Sequence, residues 1–104
     1  MNDIKIIRGD TSRFEVEVLD QTGEKYNLQE EDKLVFTVKK NTSTDITILQ
    51  KQILGDTFTL THEDTKSLDY GKYVYDIQLT QANGDVTTVI QPSIFEIMPE
   101  VNFD

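Results

Sequence analysis

From Tyr73 to Leu79 every second residue is large and apolar or aromatic: Tyr73, Tyr75, Ile77 and Leu79. Val74, Asp76, Gln78 and Thr80 fill the alternate positions. Successive side chains of an extended chain point to opposite faces, so a period of two marks a strand with one buried face. The other strong alternations in the chain have the same character. Phe14, Val16 and Val18 alternate with Arg13, Glu15 and Glu17, which predicts a half-buried strand over Ser12–Asp20 with a water-facing side. Leu34, Phe36 and Val38 alternate with Val35, Thr37 and Lys39 over Lys33–Lys40, and Phe58 and Leu60 point inward from Thr57–Thr61.

The entry to the Tyr73 strand carries a second signal. Asp69, Gly71 and Tyr73 are spaced Asp-x-Gly-x-Tyr. In immunoglobulin-like sandwiches a Tyr near the start of one strand turns its hydroxyl back onto upstream backbone, a tyrosine corner. Asp69 is suited to accept hydrogen bonds from the turn, and Gly71 lets the backbone bend without a Cβ clash. The hydroxyl bond would add about 1 kcal/mol to the larger burial contribution of the ring. The alternative is an ordinary turn ahead of an aromatic-rich strand, and in both cases the role of Asp69, Gly71 and Tyr73 is structural.

The remaining segments fill out an all-β pattern. Asp3–Arg8 reads as a short opening strand broken by Gly9-Asp10, and Asp20–Gly23 as a turn. Tyr26 and Leu28, in a brief extended piece, are placed to cap one end of a core. Asn41–Asp45 is polar and turn-forming. Ile46–Ile53 continues as strand, with a bulge where its alternation slips at Leu49. Thr61–Leu68 is the one segment with helical character: Thr61 can cap, Glu63 and Asp64 fall in a first turn, and Leu68 can tuck beneath the sandwich end. Asn83-Gly84 between two strands predicts a hairpin into Val86–Ile90. Pro92 interrupts that strand, which suits an edge or a bulge because Pro donates nothing to a ladder. Ser93–Met98 resumes it, and residues 101–104 form a tail. With seven to eight strands and a turn roughly every ten residues, the expected fold is all-β. In detail it is an immunoglobulin-like antiparallel β-sandwich spanning residues 1–104 as one domain, with a small barrel as the alternative architecture.

The residues offer little chemistry. There is no Cys, hence no disulfide frame, no thiolate nucleophile and no Cys-based zinc site. The five glycines all fall at predicted turns, so no Gly-rich phosphate loop exists. His62 is the only histidine and reads as a solvated loop residue, since a catalytic or zinc-binding role needs converging partners. No carboxylate pair stands out, and the Asp-x-Asp-x-Asp calcium loop is absent. Glu30-Glu31-Asp32 reads as a solvated turn. Arg8-Gly9-Asp10 spells an adhesion tripeptide and Asn41-Thr42-Ser43 a glycosylation acceptor, but both matter only outside the cell, and the termini carry no apolar export signal. No run is long enough to span a bilayer as a helix. The formal charge of −9 disfavours nucleic acid or an anionic membrane as partner. Tyr70 is the one tyrosine expected to be exposed, and it is the candidate platform for a carbohydrate- or cell-wall-binding module. Tyr73 and Tyr75 face the core.

The order of segments resembles a family of bacteriophage structural proteins. Gly9-Asp10-Thr11 leads through Phe14-Glu15-Val16-Glu17-Val18 to Asp20 and Gly23; Phe36-Thr37-Val38-Lys39 follows. Asp64-Thr65-Lys66-Ser67-Leu68 then precedes Tyr70-Gly71-Lys72-Tyr73-Val74-Tyr75-Asp76-Ile77, and Asn83-Gly84-Asp85-Val86 and Phe95-Glu96-Ile97 close the series. Together these motifs are similar to the N-terminal domain of phage upper baseplate proteins and to related small β-sandwich tail and virion proteins. The resemblance covers nearly the whole chain through turn and strand motifs. It implies a non-enzymatic component of a virion, made in the bacterial host cytoplasm, that needs no cofactor. Such a component works by docking to other phage structural proteins or to copies of itself. The first strand and the Pro92-interrupted last strand are the expected docking edges, because edges present unpaired backbone groups.

Overall fold

The computed structural model of the chain describes residues 3–19, 22–44, 46–53 and 55–99. Asp20, Gln21, Asp45 and the tail lie outside the described residues. Among the described residues, seven strands and one helical turn follow in order: β1 (Ile4–Ile7), β2 (Ser12–Glu15), β3 (Lys33–Lys39), β4 (Thr47–Ile53), β5 (Thr57–Leu60), α1 (His62–Thr65), β6 (Gly71–Thr80) and β7 (Val86–Met98). They form a five-stranded sheet in the order β1-β7-β6-β3-β4 and a two-stranded sheet of β2 and β5. The fold is all-β and sandwich-like.

The register explains the core. Leu34, Phe36 and Val38 of β3 stand opposite Leu79, Ile77 and Tyr75 of β6, and opposite Ile53, Lys51 and Leu49 of β4. Tyr73 stands opposite Phe95, and Ile4 and Ile6 lie beside Phe95 and Ile97. These residues share the inner face of the large sheet. Phe58 and Leu60 of β5 come from the small sheet, so that Phe36 meets Phe58 with ring centroids 4.8 Å apart across the two layers. Phe36, Val38, Leu60 and Phe95 have no exposed surface.

Three expectations need correction. The sheet is mixed, not antiparallel throughout, because β1 runs parallel to β7. β1 lies along Phe95–Met98 with Ile4 and Ile6 on the core side, and the turn that follows it brings Gly9 to α1, where its N–H donates to Thr65 Oγ1 at 2.8 Å. β2 ends at Glu15, short of Asp20; the chain stays extended, and Val16 N–H donates to Asp56 O at 2.7 Å. Val16 and Val18 are buried as the alternation predicts. β7 is an edge only in part, since β1 covers Phe95–Met98. Glu30-Glu31-Asp32 is the solvated turn expected, and Asp32 fastens it by accepting from the Tyr26 hydroxyl at 2.7 Å and from Gln29 N–H at 2.8 Å. Those bonds, the Gln29 one foremost, hold its carboxyl below its ordinary value.

The local signals resolve as follows. The slip at Leu49 is a bulge, with Val38 opposite Leu49 but Lys39 opposite Thr47. Pro92 sits in a second bulge: Tyr75 pairs with Ser93 and Ile77 with Ile90, so Gln91 and Pro92 together face Asp76. The Asn83-Gly84 turn closes with Gln81 N–H on Asp85 O at 2.8 Å. Thr65 is buried, and Leu68 packs against the core.

One inward position of β4 carries a charge. Lys51, in register with Phe36, runs its stem along the core rim and places Nζ 2.7 Å from Thr59 O and 2.6 Å from Asp64 Oδ2. Its alkyl stem is apolar while the ammonium reaches acceptors at the rim. Asp64 also accepts Thr61 N–H at 2.8 Å, closing the start of α1. Burial pushes the Asp64 carboxyl up, but the Lys51 and Thr61 hydrogen bonds and the Lys51 charge outweigh it and leave it below the ordinary 3.8. The unfolded chain therefore takes up this proton first as pH falls. The Asp64 contribution is fully present above about 3.8 and is lost as pH drops through the folded value. Thermal melts from neutrality into the acid range should show a shallower acid decline for Asp64→Asn than for the parent chain. Parallel declines would remove Asp64 from the acid limb.

Candidate functional site

The sequence-predicted residues gather at one end of the sandwich. The Tyr73 hydroxyl donates to Asp69 O at 2.7 Å. Gly71, between them, has φ +134, a conformation that a side-chain-bearing residue adopts only with strain. Burial, with a smaller effect of the Asp69 charge, pushes the Tyr73 phenol up. The acceptor at Asp69 is its backbone carbonyl.

The turn between β1 and β2 is fastened onto this end. The Arg8 guanidinium lies 4.2 Å over the Tyr70 ring and Nη1 donates to Leu68 O at 3.3 Å. His62 Nδ1 is 2.8 Å from Gly9 O; the carbonyl can only accept, so Nδ1 carries the proton. Gly9 has φ +84, and a Cβ there would stand 3.1 Å from the His62 ring. Arg8-Gly9-Asp10 is thus a docked turn, and His62 is exposed but tied to it. The notional sugar platform, Tyr70, is 42% exposed, but Arg8 occupies one face of its ring. A cation stacked on the ring competes directly with a sugar seeking the same face. Among the described residues no three His, Cys, Asp or Glu side chains gather as a metal site. No helix there is long and apolar enough to cross a membrane.

Among the described residues, recesses also lie elsewhere. The first is a cleft of about 400 Å³ between Val86–Ile90 and the extended segment after β2, walled by Val18, Leu19, Tyr26, Leu79 and Val89. It opens where β7 has β6 on one side and, among the described residues, no strand on the other. Leu19 and Val86 are 55% and 59% exposed. The second is a hollow of about 300 Å³ on the outer face of the large sheet, beside the Pro92 bulge. The sequence suggested neither recess. Pro92 signalled the bulge, but the residues around it come from four strands that only the pairing brings together.

Comparison with protein-family models and with curated proteins finds no match to this chain.

Proposed function

We propose that this chain is a non-enzymatic structural component of a bacteriophage particle, a baseplate, tail or other virion part. It acts by protein–protein docking, as an immunoglobulin-like module. The resemblance of its segment order to phage baseplate domains supports the assignment of class, and the Tyr73–Asp69 hydrogen bond supports the immunoglobulin-like reading. The observation that carries the docking mechanism is the side of Val86–Ile90 that no strand pairs among the described residues, alongside a cleft lined by Val18, Leu19, Leu79 and Val89 together with the polar Glu17, Gln81, Thr87 and Thr88. An unpaired edge offers backbone donors and acceptors to an added strand, and the cleft takes its alternate side chains. The formal charge of −9 favours a partner with a basic docking strand over a second copy of this chain.

Mass spectrometry of purified particles and an edge variant test this together. The chain should appear as a particle component, and Val86→Lys should be lost from particles while melting like the parent. Position 86 is 59% exposed, so the lysine is accommodated in the folded chain but opposes strand addition. Absence of the chain from particles, or normal incorporation of Val86→Lys, would overturn the proposal.

A further inference from the structure

The outer face of the large sheet is arranged in cross-strand rows. One row runs Gln50, Thr37, Asp76 and then the Gln91-Pro92 bulge; the next runs Thr47, Lys39, Val74 and Ile94. A regular row would place one residue of β7 opposite Asp76. The bulge places two there, and bulges bend the strand and increase its local twist. Pro92 becomes one wall of the hollow, with Thr37, Gln50, Val74, Asp76 and Gln78 among its other lining residues.

The chemistry of this lining is specific. Gln50 Nε2 donates to Thr37 Oγ1 at 3.1 Å, which fixes both side chains across β3 and β4. Asp76 is half-buried, and among the described residues no hydrogen bond reaches its carboxylate. Burial pushes that carboxyl up, partly offset by the Lys39 charge. A half-buried carboxylate that still reaches water through the hollow is open to a ligand hydroxyl that donates to it. Lys39 and Asp76 bring one charge of each sign, so the hollow selects neither a cation nor an anion. Amides and hydroxyls occupy the floor, and the Val74 side chain and Pro92 ring supply apolar surface.

We propose that this hollow is a binding site for a neutral polyhydroxylated ligand, a sugar ring. The carboxylate of Asp76 accepts from ligand hydroxyls, Gln50, Thr37 and Gln78 complete the polar contacts, and Pro92 and Val74 take the C–H face. The volume of about 300 Å³ lies at the small end of ligand pockets, which suits one saccharide residue rather than a long chain. The site lies on the outer sheet face, away from Tyr70, and does not depend on the docking edge.

The test is an amide NMR titration of the whole chain with glucose, galactose, N-acetylglucosamine and, as a cationic side-chain probe, N-acetyl-lysine methylamide. At least one sugar should give saturable shifts at Thr37, Gln50, Asp76 and Gln78, and the lysine probe should give none. Asp76→Asn should weaken that sugar about tenfold, the size expected for a hydrogen bond to a charged group. Thr37→Val, with the same shape and no hydroxyl, should weaken it too, with both variants melting as folded proteins. The proposal fails if no sugar shifts these amides. It also fails if the lysine probe binds there in preference, or if sugar binding survives both substitutions unchanged.

Discussion

Phe36→Ala should cost about 3–5 kcal/mol of folding stability. The ring has no exposed surface and stands at the junction of both layers. Its centroid is 4.8 Å from Phe58, 5.3 Å from Tyr75 and 5.8 Å from Phe95. Removing it opens a void between β3 and β5 that backbone on either side cannot close without breaking a ladder. Domains of this size are stable by about 5–15 kcal/mol, so the loss is a large part of the total. Equilibrium denaturation reads it directly. Phe36→Leu should lie between the parent and the alanine variant, because it keeps part of the volume. An alanine variant that unfolds at the parent's denaturant concentration would mean that β3 presents its other face to the core.

Tyr73 allows the two parts of one side chain to be separated. Tyr73→Ala should cost about 3–5 kcal/mol, as expected for loss of a buried aromatic ring. Tyr73→Phe keeps the ring and removes only the bond to Asp69 O, and should cost about 1 kcal/mol. The phenylalanine variant leaves the Asp69 carbonyl near solvent, which limits the penalty. Thermal or denaturant melts of the pair give the ratio. If both variants lose the same amount, the hydroxyl bond dominates and the ring is poorly packed; if neither loses stability, β6 does not bury Tyr73.

What was legible in the chain is what a local pattern can encode. Leu34, Phe36 and Val38, or Tyr73 through Leu79, declare their buried face by spacing alone, because alternation is a property of each strand by itself. The bulge at Leu49, the helical turn after Thr61 and the Asn83-Gly84 hairpin are likewise written in a few adjacent residues. Pairing is not local. Nothing in Ile4-Lys5-Ile6-Ile7 says that its neighbour is Phe95–Met98 or that the two run the same way. The energy that decides it is spread over Ile4, Ile6, Phe95, Ile97 and the turn that carries Gly9 to Thr65. Lys51 illustrates the same limit from the other side. Its charge breaks the inward alternation of β4, and only the position of Thr59 O and Asp64 shows why a lysine stem is tolerated there. The Tyr73–Asp69 hydrogen bond was legible because the two residues are close in sequence. The outer hollow was not, since its Gln50, Thr37, Asp76 and Pro92 are distant in sequence and converge through two registers and a bulge.

The parallel pairing of β1 with β7 also fixes how the molecule bears load. Asp3 and Pro99 leave the β1–β7 pair at opposite ends, since Ile4 lies beside Phe95 and Ile7 beside Met98. Tension applied through those two points therefore pulls β1 and β7 lengthwise past each other. The hydrogen bonds between them are strained in shear, all at once, instead of being unzipped one after another as they would be at the open end of a hairpin. Rupture then requires the whole contact, with Ile4 and Ile6 still lodged in the core, to give way together. A module wired in this way holds against tension between those two points as a clasp does, closed until it opens all at once.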